Sequence, residues 1–157
     1  MKVDGSCHCG AVRFSLEAES PVPYLRCYCS ICRKVAGGGG YAINIGGSTA
    51  SLTIEGGDHI SVYETGPSPE PADAPRGRRF CGKCGTALWN YDPRWPELIH
   101  PFASAIDTEL PVPPETTHIM LASKASWVEP CVHEGDKVHD KYPDESLAGW
   151  HERQGLA

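Results

Sequence analysis

Phe80-Cys81-Gly82-Lys83-Cys84-Gly85-Thr86-Ala87-Leu88-Trp89-Asn90-Tyr91 holds the two signals from which the fold is read. A Cys-x-x-Cys turn folds back so that both sulfurs aim at one point, and Gly82 and Gly85 permit the backbone angles of a tight knuckle around a cation. Phe80 ends one strand and Ala87 to Tyr91 reads as the next, which makes a strand pair hinged on a cysteine turn. Working outward, apolar residues alternate at Val12, Phe14 and Leu16, at Tyr41, Ile43 and Ile45, at Leu52 and Ile54, and at Ile60 and Val62, the period of half-buried strands. Gly37 to Gly40, Gly46-Gly47 and Gly56-Gly57 break them apart in the rhythm of antiparallel hairpins. Leu98 to Ala103 and Thr117 to Leu121 extend the pattern, interrupted by Pro111-Val112-Pro113-Pro114.

The other cysteines are Cys7-His8-Cys9-Gly10, Cys27-Tyr28-Cys29-Ser30-Ile31-Cys32 and a solitary Cys131. Their density is below that of a disulfide scaffold and the close pairs sit where a metal wants them. Residues i and i+2 of a strand share a face, so Cys7 with Cys9, and Cys27 with Cys29, are expected to converge. Cys27, Cys29 and Cys32 are close enough in sequence to serve one ion. That leaves Cys7, Cys9, Cys81 and Cys84 as the four thiolates of a closed, structural zinc site, although a swapped pairing of half-sites keeps the same count. Three protein ligands leave a fourth position open, so the trio is the expected catalytic zinc, suited to a soft thiol that it would hold as a nucleophile for a small carbonyl. A second structural zinc completed by a histidine or Cys131 is the bland competitor. The expected fold is mainly β: a compact zinc-binding antiparallel fold of short strands with zinc knuckles, binding two Zn²⁺ per chain.

At 157 residues, with 17 Gly and 14 Pro, the chain is expected to fold as one domain spanning 1–157, rich in turns and poor in long helices. Residues 65–77, with Pro67, Pro69, Pro71 and Pro75, read as an exposed loop. A single short helix is expected over 144–154, capped by Asp144 and closed at Gly155. Fourteen basic against 20 acidic residues argue against a nucleic-acid partner. No long apolar run and no signal-like N-terminus are present, so a cytoplasmic protein with no membrane partner is expected. Two acid-free windows, Ser20 to Ile54 with Arg26, Arg33 and Lys34, and Ala74 to Tyr91 with Arg76, Arg78, Arg79 and Lys83, flank the cysteines. Those cations either offset thiolate charge or bind an acidic small molecule, and Arg33 and Lys34 are candidates for substrate carboxylates.

Gly5-Ser6-Cys7-His8-Cys9-Gly10, Cys27-x-Cys29-Ser30-x-Cys32-Arg33-Lys34, Phe80-Cys81-x-x-Cys84-Gly85 and the His118 to Trp127 stretch with Lys124 resemble the glutathione-dependent formaldehyde-activating enzyme family, which includes centromere protein V. The resemblance implies a zinc-containing β fold with Cys7, Cys9, Cys81 and Cys84 on a structural zinc and Cys27, Cys29 and Cys32 on a catalytic one. It further implies a carbon-sulfur lyase interconverting S-hydroxymethylglutathione with glutathione and formaldehyde. Tyr28 stands where members commonly carry His, and Gly37 to Gly40 replaces a more usual Pro-Phe segment; neither removes a ligand. A non-catalytic zinc-stabilised protein-interaction module is the alternative. His8 is expected to face away from its neighbours' metal, no histidine is assigned as acid or base, and Cys131 is expected to be a small buried residue.

Overall fold

The computed structural model of the chain describes residues 1–19, 21–68 and 74–156. In chain order the strands are β1 Lys2–Ser6, β2 Arg13–Glu17, β3 Tyr24–Cys27, β4 Ala42–Asn44, β5 Gly47–Ser48, β6 Thr53–Glu55, β7 Ile60–Glu64, β8 Gly77–Cys81, β9 Ala87–Tyr91, β10 Leu98–Pro101, β11 Thr116–Ile119 and β12 Lys137–Val138. Two short helices join them, α1 Ser30–Ala36 and α2 Leu147–Gln154. The protein is therefore mainly β, as the alternation predicts.

β1, β2 and β6 form an antiparallel sheet in which Val3 lies opposite Leu16, and Gly5 opposite Phe14. Val3, Phe14 and Leu16 are buried while Lys2, Asp4, Arg13 and Glu17 face water, the two-residue period of a one-sided sheet. Gly5 is required here: a Cβ would stand 2.4 Å from the Phe14 ring and 2.5 Å from the Ala105 carbonyl oxygen. Phe14 meets Trp89 edge-on at 5.1 Å, which seals this sheet against a second one of order β5-β10-β9-β8-β7. The third sheet, β12-β11-β3-β4, contains the parallel pairs β3 with β11 and β11 with β12. Parallel neighbours need a long crossover, and between β3 and β11 it passes through the whole second sheet.

Two apolar clusters result. One gathers Cys7, Val12, Phe14, Leu16, Cys81, Leu88, Trp89, Ile99 and Ala105; the other gathers Cys27, Cys32, Ala42, Phe102 and Ile119. Each cluster includes two buried cysteines, so each sulfur group is anchored in its own core.

Several expectations are corrected. In β4 it is Ala42 and Asn44 that are buried, with Tyr41 and Ile43 only half-buried. Pairing with β3 sets Cys27 opposite Ala42 and Arg26 opposite Ile43, and a one-residue choice of register turns every side chain over. Ile54 and Val62 are each 43% exposed because β6 and β7 are the outer strands of their sheets. Cys7 and Cys9 lie in a turn beyond β1, and Cys29 is the N-cap of α1, so neither pair converges by strand geometry. α1 is too short to leave a periodic signature. α2 begins after Ser146, whose hydroxyl accepts the Gly149 N–H at 3.1 Å, and not at Asp144; Gly155 closes it at φ 67° as expected. Its Trp150 Nε1 donates to Glu115 Oε1 at 2.9 Å, and Arg153 donates to both Glu115 oxygens. Of the 65–77 segment, Pro67 and Pro75 are exposed, Gly77 belongs to β8, and Pro69 and Pro71 lie outside the described residues.

Candidate metal centre

Two turns of similar build create the first sulfur group. The Cys7 amide donates to the Val12 carbonyl at 3.0 Å and the Gly10 amide to Cys7 at 2.9 Å; in the knuckle between β8 and β9, Cys81 donates to Thr86 at 2.9 Å and Gly85 to Cys81 at 2.8 Å. Gly10 and Gly85 take φ of 75° and 76°, left-handed values at which glycine alone is unstrained. Thr86, unremarked in the sequence, ties the turns together: its Oγ1 accepts the His8 amide at 3.1 Å and lies 3.1 Å from Cys84 Sγ. Cys7, Cys9, Cys81 and Cys84 are thereby brought within 4.8 Å of one another. Cys7 Sγ is 3.6 Å from Cys9 Sγ, which is 3.8 Å from Cys81 Sγ. Zinc–sulfur bonds of about 2.3 Å arranged as a tetrahedron would set sulfurs roughly 3.8 Å apart, so the four thiols fit a metal of that size and softness.

Cys27, at the end of β3, with Cys29 and Cys32 of α1, forms the second group, again within 4.8 Å, and no further His, Cys, Asp or Glu among the described residues joins it. The Cys32 amide donates to Cys29 Sγ at 3.4 Å. Cys32 Sγ in turn accepts Arg78 Nη2 at 3.4 Å and Asn44 Nδ2 at 3.9 Å. Crowding makes the thiols unequal: donation from Cys27 and then Cys32 holds the Cys29 thiol far below its usual range, while the same contact with Cys29, and burial, push Cys27 up. In the first group the Thr86 hydroxyl brings Cys84 down to about 5. Three or four thiolates this close repel one another, and a divalent cation is what lets them ionise together.

The backbone behind the trio is held by its own network. The Tyr28 amide donates to Ile119 O at 3.0 Å, the Tyr28 hydroxyl lies 2.9 Å from His118 Nδ1, and His118 Nε2 is 3.4 Å from Asp136 Oδ2. Tyr28 and His118 are fully buried. Burial lowers the His118 pKa, partly opposed by Asp136. This pairing across 90 positions carries no sequence signal beyond the residues themselves.

In front of the trio opens a cleft of about 880 Å³. Leu25, Ile119 and Met120 supply apolar wall; Asn44 and Arg78, which reach Cys32 Sγ, are polar members, and His100, Arg76, Asp92, Trp95 and Tyr142 also line it. Arg33 and Lys34 are not brought to the cleft: on the last turn of α1, Arg33 is half-buried and Lys34 exposed. Gly37 to Gly40 also lies off the cleft and closes a turn, the Gly40 amide donating to Gly37 O at 3.0 Å. His8 is exposed as expected, and Cys131 is exposed, not buried, with its sulfur 3.5 Å from His133 Nε2. Trp89 and Trp150 are core residues, whereas Trp95 and Trp127 are exposed.

The sequence profile described as glutathione-dependent formaldehyde-activating enzyme matches residues 2–123, a span that includes both sulfur groups. The chain belongs to this family. A protein of Halomonas elongata named "Putative glutathione-dependent formaldehyde-activating enzyme" is 54% identical over 156 residues, covering 99% of this chain and 98% of the relative. A crystal structure of a Rhodobacter sphaeroides protein shares the fold with a TM-score of 0.54 at 24% identity, over 69% of this chain and 91% of the other. No helix among the described residues is long and apolar enough to cross a membrane.

Proposed function

We propose that the chain, acting as one unit over residues 1–157, is a carbon-sulfur lyase that forms and cleaves the S-hydroxymethyl adduct of a thiol, glutathione in the first instance, with a small aldehyde such as formaldehyde. The observation that carries this reading is the three-thiol group in the lining of a cleft large enough for a small peptide thiol. The names of the family and of the Halomonas relative support glutathione and formaldehyde as the pair.

In this reading Cys7, Cys9, Cys81 and Cys84 hold a structural zinc ion, and Cys27, Cys29 and Cys32 a catalytic one. Bound by three thiolates, zinc supplies a soft Lewis acid that favours the deprotonated form of an added thiol near neutral pH. The protein's own part is positional. Arg78 and Asn44 fix Cys32 from the cleft side, the Tyr28 amide fixes the backbone between Cys27 and Cys29, and Leu25, Ile119 and Met120 give the cleft an apolar wall. Eight unpaired cysteines, two of them fully buried, suit a reducing compartment such as the cytoplasm.

The test is metal content together with exchange. Two zinc ions per chain are expected, the trio's leaving first to a mild chelator, with glutathione-formaldehyde exchange by NMR faster than in buffer and slowed in Cys29→Ala. Equal retention of both ions and no exchange above background would point instead to a zinc-stabilised interaction module.

A further inference from the structure

In the cleft that holds the trio, four buried polar atoms have no partner: Asn44 Oδ1 on β4, Arg78 Nε on β8, His100 Nδ1 on β10 and Thr117 Oγ1 on β11. All four residues line the cleft to which Cys27, Cys29 and Cys32 also contribute, and Asn44 and Arg78 reach Cys32 Sγ directly. Buried polar atoms are nearly always satisfied, so four orphans in the wall of one cleft point to a polar guest. Its sign is set locally, by the charged group that touches the trio, since Glu17, Glu19 and Glu97 also line the cleft. Asp92 is held by Arg76 at 3.1 Å and Arg94 at 2.6 Å, and Glu145 by Arg153 at 2.5 Å. Arg78, only 7% exposed, has no carboxylate partner among the described residues; its guanidinium donates to Cys32 Sγ and rests over the Phe102 ring. Burial lowers the His100 pKa, against the pull of the Ile45 backbone, and so favours the uncharged imidazole. The arrangement is one fixed cation flanked by two acceptors.

We propose that Arg78 is the anion-holding residue of the cleft and that, with Asn44 and His100, it receives the oxygen of the carbonyl substrate; this rests on the reaction proposed above. When the thiolate sulfur bonds to the carbonyl carbon, the π pair of the C=O bond moves onto oxygen, and the new negative charge lies against the guanidinium. Water then supplies the proton, releasing hydroxide, and the resulting hydroxyl is a donor that Asn44 Oδ1 or His100 Nδ1 accepts. Cleavage runs the same steps backward. A preorganised cation in a water-poor site stabilises such charge far more than water does.

Three small thiols probe this without turnover: mercaptoacetate, whose carboxylate stands close to the sulfur, 2-mercaptoethanol and cysteamine, each titrated by calorimetry into the protein carrying its metal. Wild type should bind mercaptoacetate more tightly than cysteamine. Arg78→Met should weaken mercaptoacetate by about tenfold, the low end for a hydrogen bond to a charged group, and leave 2-mercaptoethanol within about twofold, with Arg78→Lys in between. Metal-to-protein ratio is measured on each sample. Equal wild-type affinity for the anionic and cationic thiols overturns the proposal without any variant, as does an equal loss for all three thiols in Arg78→Met, which would mean that Arg78 serves only to balance the cysteines. If none of the three thiols binds wild type, it is the proposed reaction that fails.

Discussion

Removing the exposed sulfurs of the four-cysteine group should destabilise the protein far more than damaging the trio. Cys9 and Cys84 are exposed, while Cys7 and Cys81 are part of the core, so Cys9→Ser with Cys84→Ser deletes two of the proposed metal ligands without opening a cavity. Cys9 and Cys81 are 72 positions apart. Treated as a cross-link, a metal that joins them removes from the unfolded chain an entropy equivalent to about 4.4 kcal/mol at 25 °C. Cys27 and Cys32 are five positions apart, for which the same relation gives about 2 kcal/mol, an upper bound for Cys29→Ser. At roughly 2–4 °C per kcal/mol for a chain of this size, the double variant should melt roughly 9–18 °C below wild type and Cys29→Ser no more than roughly 4–8 °C below it. Circular dichroism melts with metal analysis of each sample measure both. A Cys29→Ser loss equal to or larger than that of the double variant would refute the division into an architectural and a working set.

Tyr28→Phe deletes the hydroxyl that meets His118 Nδ1 at 2.9 Å and leaves a fully buried imidazole nitrogen unpaired. A loss of about 1–3 kcal/mol is expected in urea unfolding, with faster release of metal from the trio to a chelator; unchanged release would mean that the pair does not hold the Cys27–Cys29 turn. Arg153, helped by Trp150, holds the Glu115 carboxyl below its ordinary 4.5. The stability this lends is present above pH 4.5 and is lost as pH falls through the lower folded value. The melting temperature should therefore fall on acidification below about pH 4.5, and Glu115→Gln should be less stable at pH 7 and less steep in that range. An unchanged slope would show that other carboxylates govern it.

Much of the sulfur chemistry was legible in the sequence because it is local. Cys27, Cys29 and Cys32 are too close to serve two ions, and Cys81-Gly82-Lys83-Cys84-Gly85 can only be a tight turn. The strand alternation at Val12, Phe14 and Leu16 likewise reports its buried face directly. The sequence also brought the family into view, since seven cysteines at fixed spacings constrain more than any single pair.

Only the tertiary structure decided which side chains surround the trio. Arg78 reaches Cys32 across 46 positions, His118 reaches Tyr28 across 90, and Asn44 faces Cys32 because β3 sets the register of β4. None of these has a periodic or spacing signature, and Arg33 and Lys34, which follow Cys32 in sequence, are placed off the cleft by the helix that presents Cys32. Sequence neighbours determine how sulfurs converge within one turn, since a turn is a local object; packing of distant segments determines which turns meet, as Cys9 meets Cys81 across 72 positions, and which charge lies beside them.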